Sequence, residues 1–478
     1  MSADRPKNVL LLWTDQQRAD TIGAAGNPQI QTPHLDRLAQ SGALFQQAYC
    51  AQPRCSPARA SLLNGLFPHT HGVLNNGIVP DPRFPMIAEL LRPAGYRCGY
   101  IGKWHLGNEL SAQRGFDPWV STDEGYAGSH ATEGYSSYHD FLVSRGYTPA
   151  DEHQDGLIFG RDTAAGLPEA VGKPAFLAAE ASRFLAAYRD QPFLLSVNFL
   201  EPHAPFTSPL DGLYSPDDMI LPESWYRRME ATVPRRYRRL QEAYAGPYAE
   251  HPGWVKSNDE WGWKELKARY WGLCTLVDKY VGRILGRLEE LGLADDTIVV
   301  YTSDHGHMMG EHRLLNKSLQ YEPSAQIPLI LRVPGLPPQR LRTPVSHVAL
   351  VPTILELLGQ PLPAPLHGAS LVPLLAHGDT APDEATVVIE WNDRFLPGSV
   401  AGTGDATEVR TIRRGRWKLN VHASGEHELY DLVDDPGELH NAFADPGHTD
   451  TIRDLHARLR QWQQATDDPV VLPAPLGE

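Results

Sequence analysis

The sequence predicts an α/β fold in which a large, mostly parallel sheet is flanked by helices and followed by a smaller C-terminal α+β subdomain. Short apolar, β-branched runs recur along the chain with helical stretches between them, which is the pattern of βαβ units. Polar, chemistry-bearing residues follow immediately after several of these runs, where open α/β sheets gather their ligands. A Pro-rich connector, Pro361 to Pro382, precedes a last group of short strand-like runs. It divides the chain into a catalytic domain, 1–380, and a subdomain, 381–478, with a short antiparallel sheet and a terminal helix.

The strands are expected at Asn8 to Thr14, Tyr96 to Ile101, Phe193 to Phe199, Thr297 to Thr302 and Ile327 to Val333. Thr32 and Pro33 form an N-cap and first-turn pair that opens a helix running to about Tyr49. Pro57 to Leu66 reads as a helix with proline near its first turn. A long helical pattern covers about Lys264 to Leu291 and stops at Gly292. The stretches Tyr126 to Gly172 and Thr207 to Gly262 lack periodicity and read as long loops walling a substrate site. In the subdomain, Thr386 to Trp391, Val409 to Arg413 and Trp417 to Val421 are the expected strands.

Composition narrows the function. Hydrophobic residues make up 41% and charged residues 21% of the 478, an ordinary balance for a chain with a core. The net charge of −15 would repel phosphate backbones, so no nucleic-acid partner is expected. No membrane partner is expected either: Met1 to Lys7 is polar, and Val9 to Trp13 is too short for a signal-peptide core or a membrane span. A cytoplasmic location follows, with a homo-oligomer allowed but not specified. Cys50, Cys55, Cys98 and Cys274 are too few and too scattered for a disulfide framework, and no C-x-x-C pair suggests structural zinc.

The strand ends carry Asp15, then Lys103 and His105, then Glu201 and His203, then Asp304 and His305. One strand-end Asp or His is commonly a turn former. Four such ends would converge on one edge of the sheet and make a site. Two carboxylates and an imidazole are a hard donor set, suited to Ca²⁺, Mg²⁺ or Mn²⁺. Cys55-Ser56-Pro57-Ala58-Arg59 adds a cysteine at a helix N-terminus, where the dipole favours an oxyanion. His69, His71, His307 and His312 read as hydrogen-bonded loop residues rather than a second metal site. Trp254, Trp261, Trp263, Tyr270 and Trp271 suit core packing as well as an aryl-binding wall.

The run Cys55 to Arg59, with Ser61 and Gly65 trailing it, resembles the type I sulfatase signature, in which a maturation enzyme oxidises the cysteine to formylglycine. Further blocks resemble that family in order: Asn8 to Gln16, Thr32 to Asp36, Gly102 to Gly107, Glu201-Pro202-His203, Ser303 to Gly306, Gly310 to His312, Lys317, and Leu429 to Leu432 near the end. The resemblance implies an alkaline phosphatase-like fold and hydrolysis of a small-molecule sulfate ester, in the manner of an arylsulfatase. It implies that Asp15, Gln16, Asp304, His305 and an oxygen of residue 55 ligate one divalent cation, and that Arg59 steadies the formylglycine. Lys103, His105, His203 and Lys317 match sulfate-binding and proton-transfer positions.

The chain departs from the family in one respect. Many members carry two adjacent aspartates where this chain has Asp15-Gln16, and some have Asn where His305 stands. Ca²⁺ remains the first expectation, with Mn²⁺ or Mg²⁺ as alternatives. The same pair of motifs resembles phosphonate monoester hydrolases and choline sulfatases, and some of the former place a substrate contact where Asn76 stands. Hydrolysis of phosphonate monoesters or phosphodiesters by the same formylglycine is therefore the alternative activity.

Overall fold

A computed structural model of the chain describes residues 7–123, 134–153, 156–244, 259–392 and 408–474. Trp254 and parts of the stretches 126–172 and 207–262 lie outside the described residues. β1 (Asn8–Thr14) is buried along its whole length. Val9, Leu11 and Trp13 pack into the core on one side of the sheet, and Leu10 and Leu12 into the core on the other. Both faces are covered, which is why the strand reads as an unbroken apolar run.

The remaining strands before the C-terminal sheet are β2 (Ala43–Tyr49), β3 (Arg97–Gly102), β4 (Trp119–Val120), a separate hairpin of β5 (Asp151–His153) and β6 (Gly156–Ile158), β7 (Phe193–Phe199), β8 (Thr297–Ser303), β9 (Gln326–Arg332), β10 (Gln339–Leu341) and β11 (Val345–Ser346). The large sheet has the order β10-β2-β9-β8-β1-β7-β3-β4, with β11 also paired to β2. Within this sheet, among the described strands, only β9 runs antiparallel to its neighbours. The mostly parallel α/β architecture expected from the sequence is the one observed.

Register fixes the site. Thr14 lies opposite Phe199 on one side and Ser303 on the other, and Gly102 lies opposite Asn198. The strands β1, β3, β7 and β8 therefore end level with one another. Asp15 N–H donates to the Phe199 carbonyl at 3.1 Å, and Asp304 N–H donates to the Thr14 carbonyl at 3.1 Å. Gly102 has φ +118°, and a Cβ there would sit 2.0 Å from the Asn198 carbonyl oxygen. Only glycine lets the chain turn at that point and deliver Lys103 to the sheet edge.

Several local expectations are corrected. The helix opening at Pro33 is α1 (Pro33–Ser41) and ends there; the run to Tyr49 is β2. Apolar residues at 43, 44, 48 and 49 suit a helical spacing, but Gly42 allows close approach to the Leu331 carbonyl and Ala43 pairs with Leu331 of β9. The signature helix is α2 (Cys55–Asn64), two residues earlier than read, and the long helix is Glu260–Glu290, capped by Asp259 accepting from Gly262 N–H. The stretches read as loops contain helices Ser137–Ser144, Arg161–Ala165 and Arg235–Tyr244, besides the β5–β6 hairpin. Trp263, Tyr270 and Trp271 are buried in a core cluster, whereas Trp261 is exposed.

The C-terminal subdomain is an antiparallel sheet of β12 (Thr386–Trp391), β13 (Val409–Arg414), β14 (Trp417–His422) and β15 (Glu428–Asp431), packed against the helix Thr449–Thr466. β15 was not among the expected strands; four residues are too few to display a period. No helix among the described residues is long and apolar enough to cross a membrane.

His69, in the short helix Pro68–His71, ties the subdomain to the large sheet. Its Nδ1 meets Glu390 Oε1 of β12 at 2.5 Å and its Nε2 meets the Thr466 carbonyl at 2.9 Å. Both partners only accept, so both ring nitrogens must carry protons. Burial works against that charge, but Glu390 and the Thr466 carbonyl outweigh it and raise the His69 pKa. Arg410 grips Asp468 through two bonds of 2.8 Å and lies 3.8 Å from Glu390, while His367 stacks 5.8 Å from the His69 ring. A raised pKa in the folded state gives stability that is complete below the ordinary value of 6.5 and is lost as pH rises through the folded value. His69→Gln is expected to destabilise the chain by about 2 kcal/mol at pH 6 and by clearly less at pH 9, read as the difference in Tm from wild type at the two pH values.

Candidate active site

Cys55 is the first residue of α2, with Arg54 extended before it as N-cap and Pro57 in the first turn, where a missing N–H costs nothing. All ten residues of α2 are buried. Ser56 fastens the opening turn: its N–H donates to Asn76 Oδ1 at 3.1 Å and its hydroxyl donates to the His105 carbonyl at 2.7 Å. Cys55 Sγ lies 3.3 Å from His305 Nε2 and 3.9 Å from Asp15 Oδ1.

Arg59 stands one turn after Cys55, on the same face of α2. Its guanidinium is inaccessible to solvent and spans two strand ends. Nη2 donates to Asp15 Oδ2 at 2.8 Å, Nε to Asp304 Oδ2 at 3.0 Å, and Nη1 to the Lys103 carbonyl and Asn198 Oδ1 at 2.9 and 3.0 Å. The Trp13 ring packs against it at 4.7 Å. Lys103 Nζ makes a second ion pair with Asp15. Burial alone would raise the Asp15 carboxyl, but Lys103, Arg59 and Lys317 hold it well below its usual value. Burial and Asp15 push the Cys55 thiol up; Lys317, Lys103 and His305 outweigh them and bring it down to about 7.

Donor atoms of Asp15, Cys55, Asp304 and His305 lie within 4.8 Å of one another. His305 Nδ1 meets the Gly306 carbonyl at 2.8 Å, so that nitrogen carries a proton and Nε2 is the nitrogen turned toward the cluster. Gln16 completes the set. It takes the left-handed conformation, φ +69°, and its N–H donates to Asp304 Oδ1 at 3.1 Å. Its side chain is inaccessible to solvent, and neither Oε1 nor Nε2 has a hydrogen-bond partner among the described residues. A buried unsatisfied amide costs about 1–3 kcal/mol. An oxygen-preferring cation would satisfy the Gln16 carbonyl and separate the two carboxylates, so the residues fit such an ion.

His105 and His203 border the cluster. His105 is buried with φ +60°. That turn is held by Glu109, whose carboxylate accepts from the Trp104 and His105 N–H groups. Burial, with Lys103 and Arg59, pushes the His105 imidazole well below its ordinary pKa. His203 is also pushed well down by burial, with Lys317, Lys103 and Arg161 outweighing Asp15. Its Nδ1 donates to the Ala204 carbonyl at 2.8 Å, which leaves Nε2 as the unprotonated nitrogen. Lys317 is half-buried and makes no ion pair among the described residues, yet its charge is felt by Asp15, Cys55 and His203.

The structure thus brings Asp15, Gln16, Cys55, Arg59, Lys103, Asp304 and His305 into one contiguous cluster, with Asn76, His105, His203 and Lys317 around it. Sequence reasoning missed Asn198 and Glu109, and read Tyr270 only as a core or aryl-wall aromatic. The last donates its hydroxyl to the Gln16 carbonyl at 2.6 Å and accepts from Arg18 N–H at 2.9 Å. Asn198 left a signal, a polar residue inside the apolar run of β7; Glu109 and Tyr270 left none. His71, His307 and His312 are buried away from any second group of metal donors among the described residues.

The sequence pattern of the sulfatase family matches residues 7–360, which is most of the chain. The chain belongs to the sulfatase family. The pattern of the N-sulphoglucosamine sulphohydrolase C-terminal region matches residues 310–465. An uncharacterized sulfatase of Escherichia coli is 28% identical over 97% of this chain and 88% of its own length. An N-acetylglucosamine-6-O-sulfatase of Bacteroides thetaiotaomicron is 27% identical over 96% of this chain and 87% of its own. Among solved structures, the phosphonate monoester hydrolase of Agrobacterium radiobacter superposes with a TM-score of 0.75 at 28% identity, covering 97% of this chain and 96% of that one. This sulfatase is accordingly a hydrolase of the alkaline phosphatase superfamily, of the sulfuric ester class.

Arg59→Met removes the one side chain shared by Asp15 and Asp304 and leaves buried carboxylates without it. The expected cost is about 3–5 kcal/mol, seen as a fall in the urea midpoint. An unchanged midpoint would mean that Arg59 does not hold the strand ends together.

Proposed function

We propose that a maturation enzyme oxidises Cys55 to formylglycine and that the sulfatase then hydrolyses sulfate monoesters to an alcohol or phenol and inorganic sulfate. The observation that carries this reading is the placement of residue 55 in a Cys-Ser-Pro-Ala-Arg turn, at the N-terminus of buried α2 and within 4 Å of Asp15 and His305. The hydrated aldehyde supplies a hydroxyl nucleophile there, and the helix dipole favours its ionised form.

Asp15, Gln16, Asp304, His305 and an oxygen of residue 55 would hold one divalent cation. Ca²⁺ suits the carboxylate and amide oxygens, and the imidazole keeps Mn²⁺ and Mg²⁺ as alternatives. When bound, the ion supplies positive charge that polarises the ester and activates the nucleophile. Arg59 fixes the spacing of Asp15 and Asp304. Lys103 and Lys317 neutralise charge on the transferring group, and Asn76, whose carbonyl is engaged by Ser56, keeps its amide N–H groups for the anion. His203 protonates the leaving oxygen from Nε2. Because its pKa is depressed in the protein alone, it gains that proton as the negatively charged ester arrives and raises it. His105, held neutral by burial and by Lys103, is the base that takes a proton from residue 55. We assign these steps to residues 1–380 and treat 381–478 as the supporting subdomain.

The second reading, hydrolysis of phosphonate monoesters or phosphodiesters, is favoured by the likeness to the Agrobacterium enzyme, which matches this chain as well as the sulfatase relatives do. Lys103 and His105 fill space beside residue 55 and favour the three bare oxygens of a sulfate over a substituted phosphorus. Peptide mass spectrometry of active protein is expected to find formylglycine at residue 55, and Cys55→Ala is expected to be inactive. On such protein, 4-nitrophenyl sulfate should be cleaved with higher kcat/KM than the matched phenylphosphonate; the reverse order would transfer the assignment to the second reading.

Calcium at a hundred-fold excess over its Kd is expected to stabilise the chain by about 2.7 kcal/mol. Gln16→Ala should weaken that effect, and Asp304→Ala should abolish it. A thermal shift that survives Asp304→Ala would place the ion elsewhere.

A further inference from the structure

Among the proposed metal donors, Gln16 alone has a left-handed backbone. An L-residue keeps that conformation only where its surroundings over-determine it. On one side the turn is held by the sheet: Asp15 N–H donates to the Phe199 carbonyl, Gln16 N–H to Asp304 Oδ1 at 3.1 Å, and Gln17 N–H to the Ser303 hydroxyl at 3.0 Å. These acceptors stand at the ends of β7 and β8.

The opposite side of the turn rests on Tyr270, carried by the long helix Glu260–Glu290. Its hydroxyl donates to the Gln16 carbonyl at 2.6 Å and accepts from Arg18 N–H at 2.9 Å, so one oxygen closes the two polar groups that flank Gln17. Tyr270 is inaccessible to solvent, and its ring packs on His307 and Phe206 with centroids 5.7 and 6.1 Å away. The hydroxyl is thereby fixed in place. Beyond the turn, Arg18 Nη1 donates to the His307 and Met308 carbonyls at 3.2 and 3.0 Å, and Nη2 pairs with Glu311 at 3.2 Å. The loops after β1 and β8, which carry the proposed donors, are braced against each other.

A side chain's direction follows from its backbone angles, so whatever holds the turn also aims the buried, unpartnered Gln16 amide. We propose that Tyr270 is a positioning residue of the metal centre: its hydroxyl holds the Gln16–Arg18 turn in the conformation that presents the Gln16 side chain to the ion, and so sets the affinity for a divalent cation. This rests on the metal site proposed above. Outer groups that orient a metal ligand commonly govern affinity in this way. A tyrosine that only packed the core would lower stability without changing cation affinity in the folded chain.

The test is a calorimetric titration of Ca²⁺ into metal-stripped wild type, Tyr270→Phe, Gln16→Ala and the double variant. All carry the same extent of modification at residue 55, and urea unfolding verifies that each is folded. Tyr270→Phe keeps the packed ring and removes only the hydroxyl. It is expected to weaken the Ca²⁺ Kd about ten-fold or more. In the Gln16→Ala background the same change should alter Kd by less than about two-fold, because the side chain through which Tyr270 acts is gone. Tyr280→Phe removes a hydroxyl from the same helix, where it donates to Glu169 at 2.8 Å, and should leave Kd unchanged. An unaltered Kd in Tyr270→Phe, an equal loss with and without Gln16, or a matching loss in Tyr280→Phe would overturn the proposal and leave the metal site standing. Calcium binding that survives Asp304→Ala would overturn the site itself, and this inference with it.

Discussion

The site depends on one guanidinium. Asp15 and Asp304 end adjacent parallel strands, and without a shared cation two such carboxylates would repel in a setting that water cannot screen. Arg59 meets both, and reaches Lys103 and Asn198 with its remaining donors. It therefore touches the ends of β1, β3, β7 and β8 from a single position on α2. The arrangement also places residue 55, one helical turn earlier, at a fixed distance from the carboxylates. Helix and sheet are positioned relative to each other by the same contact that sets up the chemistry.

Electrostatics divides the surrounding groups by task. Asp15 stays ionised because Lys103, Arg59 and Lys317 oppose its burial, whereas His105 and His203 stay neutral because burial and neighbouring cations act together. One set of charges thus produces an anionic ligand and two neutral imidazoles within a small volume. Gln16, uncharged, lowers the negative charge of the donor set compared with a second aspartate, so less charge must be neutralised when an ion enters.

Much of this was legible in the sequence, for an identifiable reason. β1, β3, β7 and β8 are covered on both faces, so each leaves a largely apolar run, and the polar groups stand within a few residues after it. β2 was read as helix because its apolar spacing fits either period; its state is settled by pairing with β9, almost three hundred residues away. Glu109 and Tyr270 act on the backbone of His105 and Gln16, whose left-handed turns no side-chain pattern announces. Tyr270 reaches Gln16 across 254 positions of sequence. Contacts of that kind appear only when the fold is assembled.

The burial of α2 also sets an order of events. Cys55 is 1% exposed, and every other residue of its helix is buried with it. An enzyme that modifies this thiol needs the surrounding segment in its own cleft, which a completed core does not release short of unfolding. On the proposed maturation of Cys55, modification would compete in time with the collapse of the sheet around α2. Chains that folded first would then keep an intact thiol, and the active fraction of a preparation would record how that race was run.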